Sequence, residues 1–152
     1  MSQFINITLF IKNGHLTVHK ILSMKIFSLK LLKIFLILVA IHSFSVGLGL
    51  ILIPLDYFDL FGFYGYSGNF FKIQAGVFHI VMCGAYVSAA QNPVRNRNMI
   101  RFAIFAKMMA TVFLISYAAF IDMVWMVMAS GLFDFVMGLV LIWFLRVMKD
   151  AH

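Results

Sequence analysis

The sequence predicts an all-α polytopic membrane protein, a four-helix transmembrane bundle preceded by a basic N-terminal interfacial segment. Three observations lead there. The 152 residues are 64% hydrophobic and only 11% charged, with a mean hydropathy of +1.03. A water-soluble domain covers its surface by making roughly a quarter of its residues charged, so lipid is the expected solvent. The apolar residues also come in runs of about twenty, long enough to cross a hydrocarbon core about 30 Å thick. Finally, the basic residues flank these runs instead of forming a stripe. The net charge of +7 therefore fits an anionic lipid surface and excludes nucleic acid as the expected partner.

Residues 1–30 are mixed in character. Phe4 to Ile11 is apolar, Lys12, Asn13, Gly14, His15, His19 and Lys20 follow, and Lys25, Lys30 and Lys33 continue the basic run. This composition predicts a segment lying on the cytoplasmic leaflet. From Met24 onward the chain resembles a signal peptide, with lysines ahead of an apolar stretch. That stretch runs on to Ile53 without a small-x-small cleavage site, which predicts an uncleaved anchor. Met24 stands beside Met1 as a candidate translation start.

The transmembrane domain is expected over 31–146. Its first span covers 31–53 and ends at Pro54, because proline removes a helix donor. The connection 54–69 is rich in aromatics and glycine and carries Asp56 and Asp59, a composition suited to the membrane–water interface. The second span covers 70–90, ended by Gln91, Asn92 and Pro93, and Arg95, Arg97 and Arg101 mark a short basic loop. From Met99 to Leu145 hydrophobicity is nearly unbroken, too long for one span and right for two. Asp122 is the expected turn and N-cap, giving spans of 99–121 and 123–145, with Trp125 and Trp143 as interfacial anchors. A cytoplasmic tail, 147–152, closes the chain.

With four spans, five N-terminal lysines, three loop arginines, Arg146 and Lys149 fall on one side, ten of the twelve basic residues. The positive-inside rule then predicts cytoplasmic N- and C-termini, in a bacterial inner membrane.

Each span carries one strongly polar residue near its middle: His42, His79, Lys107 and Asp134. A charge at mid-bilayer costs about 2.5–3.5 kcal/mol even on insertion scales, so such groups face other helices and find partners. Counted from Asp122, Lys107 and Asp134 lie within roughly 5 Å of the same depth. Gly131 and Gly138 share a face with Asp134, while Ala103, Ala106 and Ala110 surround Lys107. Small residues allow close helix approach, so the two are expected to form a buried pair. The competing functional reading is a proton or small-solute path through them.

In the second span Lys72, Gly76, His79, Cys83, Tyr86 and Ala90 form one helical stripe, and His42, Ser45 and Gly49 share a face in the first. Two imidazoles at similar depth could ligate haem, with glycines leaving room for a flat ring, or bind a quinone. The simpler expectation is a hydrogen bond from each histidine to a neighbour. The eleven methionines lack regular spacing and read as core filler. Cys83 is the one cysteine, which rules out an internal disulfide or a cysteine zinc site. No metal site is expected, and no catalytic motif is found, so no catalytic residue is assigned and an enzyme is the less expected outcome.

The stretch Gly76–Pro93, the arginine loop, Lys107 and Ser130–Asp134 (SGLFD) resemble the small four-helix DoxX-like membrane proteins. The resemblance covers about Leu31 to Leu145. It implies a compact bundle with a polar interior, serving a redox partner, and it transfers no catalytic residue. Three functions are compatible with the sequence. The first is an accessory or scaffold component of a membrane system, within a larger complex or as a homo-oligomer. The second is haem or quinone binding at His42 and His79, and the third is transport through Lys107 and Asp134.

Overall fold

The computed structural model describes residues 2–149, with side chains over 26–148. The end of the expected tail, 150–152, and the side chains of the N-terminal segment through Lys25 lie outside the described residues. Among the described residues the regular structure is entirely helical. It comprises α1 (Ser2–Leu52), a short 3₁₀ helix (Leu55–Phe61), α2 (Phe70–Gln91), α3 (Arg97–Phe120) and α4 (Trp125–Lys149). Four stretches are long and apolar enough to cross a bilayer: Ile26–Leu52, Phe70–Gln91, Arg97–Phe120 and Trp125–Met148. The protein is an integral membrane protein built as a four-helix bundle.

Two boundaries differ from expectation for physical reasons. The helix that spans at Ile26–Leu52 does not start near residue 31; it runs unbroken from Ser2. Lysines and histidines change a helix's polarity without breaking it, and Pro54 is the first proline in the chain. At the other turn, Asp122 does not cap α4 through its carboxylate. Its backbone amide donates to Tyr117 O (3.1 Å) and its carbonyl accepts from Val124 N (2.8 Å). The helix then opens at Val124, whose carbonyl receives Met128 N (3.1 Å).

The helices pair as two hairpins, α1 with α2 and α3 with α4, which meet each other less extensively. At the α1–α2 crossing two glycines let the backbones touch. A Cβ added at either Gly47 or Gly76 would stand 2.7 Å from the carbonyl oxygen of the other. Gly131 does similar work in the second hairpin, where a Cβ would lie 3.2 Å from Leu114 Cβ.

Two apolar clusters fill the bundle. The larger lies toward the α2–α3 loop and includes Leu32, Leu36, Met82, Ala89, Ile100, Leu141 and Phe144. The smaller, Ala118, Val124 and Val127, sits at the opposite end with Phe63 of the long connection packed on it. That connection is itself anchored. Lys72 is buried, donates to Ile53 O at the end of α1 (2.6 Å), and holds its ammonium 5.2 Å from the Phe58 ring centre. Gly62 takes a left-handed φ of 88° directly against Trp125. Large apolar side chains such as Phe105, Val81 and Phe133 point outward, an arrangement suited to lipid and not to water.

Candidate functional site

Between the two apolar clusters lies a layer of polar side chains. His42, His79, Lys107 and Asp134 fall within three residues of the centres of their spans, measured on Ile26–Leu52, Phe70–Gln91, Arg97–Phe120 and Trp125–Met148. Lys107 and Asp134 meet across the α3–α4 hairpin, the ammonium donating to Asp134 Oδ1 at 2.5 Å. The residues are 3% and 7% exposed, so the pair is shielded from lipid, and among the described residues neither side chain forms another salt bridge. Two further contacts hold the lysine. Its ammonium stands 5.7 Å from the Tyr86 ring centre on α2, a cation–π geometry. Its main-chain carbonyl also accepts from Thr111 Oγ1 at 2.8 Å. Gly131 and Gly138, on either side of Asp134, are buried and bring α4 close to α3.

The histidines take separate neighbours. His79 is half-buried and pairs with Ser43 of α1, whose hydroxyl donates to His79 O (3.1 Å) and lies 3.3 Å from Nδ1. Ser43 is 1% exposed. One turn along α2, Cys83 Sγ donates to Ala40 O at 3.1 Å. The stripe Lys72, Gly76, His79, Cys83, Tyr86 and Ala90 is thus the inward face of α2. His42 is different. It is exposed on the outside of α1, its ring 6.4 Å from that of Phe133 on α4.

The face His42, Ser45 and Gly49 therefore does not line the interior. Leu36, Ala40, Ser43 and Gly47 do, with Gly47 fitted against Gly76 and the small Ala40 and Ser43 against Cys83 and His79. This bears directly on a haem held between α1 and α2. Gly76, which would have made room for a ring, is filled by the Gly47 backbone, and His42 is exposed while His79 turns inward to Ser43. An open apolar recess of about 460 Å³ runs along α3 from Met109 to Ile121 and includes none of Lys107, Asp134, His42 and His79.

Ser43 was missed by reasoning from the sequence. The small-residue spacing Ala40, Ser43, Gly47 was the available signal, and it points to the correct face of α1. Comparison with family models, with curated proteins and with solved structures gives no match for this chain.

Proposed function

We propose that the protein is a multi-pass component of a bacterial inner membrane with both termini cytoplasmic, related in kind to DoxX-like proteins. Its role is that of an accessory or scaffold subunit of a membrane, redox-linked complex. One observation carries this reading: the buried polar groups are engaged in bonds between helices of the same hairpin. Lys107 binds Asp134, Ser43 binds His79, Cys83 binds Ala40 O and Lys72 binds Ile53 O. Groups so paired specify how helices pack. The orientation is supported by the distribution of basic residues, which lie almost wholly on one side of the four spans.

A second reading, proton transport, is favoured by the mid-span depth that Lys107, Asp134 and His79 share on the inward faces of their helices. Proteoliposomes separate the two. The accessory role predicts the same background proton flux for the native protein and for Asp134→Asn reconstituted at equal density. A flux above that of empty vesicles, lost in Asp134→Asn, replaces it with the transport reading. An absorption spectrum of protein purified from haem-supplied cells, before and after dithionite, tests electron transfer. A Soret band abolished by His42→Ala or His79→Ala would overturn the accessory role.

A further inference from the structure

The polar layer has one member that the bundle leaves unsatisfied. His42 lies three residues from the centre of Ile26–Leu52, is exposed, and among the described residues has no hydrogen-bond partner. Ser45, one turn further along, is exposed on the same side. Around them the surface is apolar, formed by Leu38, Ile41 and Phe133. Hydrocarbon offers neither donor nor acceptor, and a polar group at this depth normally faces protein. The exposed side of α1 thus presents a mid-bilayer hydrogen-bonding group set in a lipid-like surface. A second transmembrane helix supplying a polar group at the same depth would complete it.

We infer that this face is where a second copy of the chain docks, α1 against α1, with His42 and Ser45 at the centre of a two-fold interface. Hydrogen-bond complementarity identifies the occupant. A neutral imidazole carries one donor nitrogen and one acceptor nitrogen on divergent sides of its ring, so two copies of His42 that face each other can share one N–H···N bond. Closed two-fold interfaces place the same patch on both partners. In a second copy the other mid-depth polar side chains, Ser43, His79, Lys107 and Asp134, are already engaged inside the bundle. His42 and Ser45 are what that copy has to offer at this level. Parallel copies also keep the same orientation in the membrane, which brings identical residues to identical depth.

The inference rests on the transmembrane placement of α1 proposed above, but not on an accessory role. The test is disulfide crosslinking of Ser45→Cys in a Cys83→Ala background, in phosphatidylcholine vesicles containing only this purified protein. The expected result is a crosslinked dimer at Ser45→Cys and none at Ser116→Cys, an exposed α3 position. Adding His42→Leu should weaken association about threefold to thirtyfold, the range spanned by interhelical hydrogen bonds in membranes. The same dependence is to be read by energy transfer between labelled copies as vesicle lipid is diluted, so that a poorly expressed double variant does not decide the matter. Equal crosslinking at the two positions, or association indifferent to His42→Leu, overturns the dimer. A water-soluble maleimide that labels Ser45→Cys in intact vesicles overturns the transmembrane placement as well. Labelling blocked but no crosslink formed overturns the dimer alone.

Discussion

Removing one member of the Lys107–Asp134 pair is the most informative perturbation of this protein. At a separation of 2.5 Å and an effective dielectric constant of about 20, the attraction between unit charges is about 7 kcal/mol. Desolvating both ions offsets much of this, so replacing the pair with apolar side chains is close to neutral. Stranding one charge in the interior costs about 3–5 kcal/mol. Lys107→Met and Asp134→Leu should each fall in that range, and Lys107→Met should also lose the contact with the Tyr86 ring. The double variant should lie within about 2 kcal/mol of the native protein, because neither charge is then orphaned. Reversible unfolding in mixed detergent micelles measures all four corners of the cycle. A double variant as unstable as the sum of the singles, with coupling below about 0.5 kcal/mol, would refute the argument that the pair acts as a unit.

Three further outcomes follow from the packing. Gly76→Val should destabilise by about 1–3 kcal/mol, since even a Cβ there meets Gly47 O and Ile51 Cγ1 at 2.7 Å; Gly84→Ala, which meets nothing within 4 Å, should be near neutral in the same unfolding assay. Lys72→Met should lose about 1–3 kcal/mol and speed hydrogen exchange at the end of α1 and in the 3₁₀ helix, because both are tied through this side chain; unchanged exchange there would show that Lys72 is not the tie. Gly62→Ala places a side chain on a left-handed residue 2.9 Å from Trp125 Cδ1. It should cost about 1–3 kcal/mol and change quenching of Trp125 emission by aqueous iodide in a Trp143→Phe background, and constant quenching would contradict that contact.

The α3–α4 pair was legible because a hairpin converts sequence distance into depth. Lys107 and Asp134 are nearly equidistant from Asp122, and the small residues beside them mark the contacting faces. The orientation of α1 was not legible from its histidine. In Ile26–Leu52 leucine, isoleucine and valine occupy every side of the helix, so hydrophobicity carries no directional signal. A single polar residue is then easily assigned to the interior, and His42 was. Its neighbour Ser43 is the inward one, and side-chain size at Ala40, Ser43 and Gly47 reveals this where polarity does not. The continuity of α1 from Ser2 was not legible for a related reason: the composition of residues 1–30 sets that segment apart from the first span, whereas helices end where backbone hydrogen bonding is blocked. The Asp122 turn was placed correctly, yet its bonds run through the main chain and not through the carboxylate.

The location of both charges within one hairpin has a consequence for biosynthesis. During translation α3 is made before α4, and alone it would present Lys107 to the hydrocarbon with no counter-ion. Each charge alone opposes partitioning by about 2.5–3.5 kcal/mol, and the four-residue turn from Ile121 to Val124 allows almost no delay between the two segments. The insertion machinery should therefore hold α3 until α4 arrives and release the two together. A ribosome stalled between them should leave α3 retained in the translocon or slipping back toward the cytoplasm.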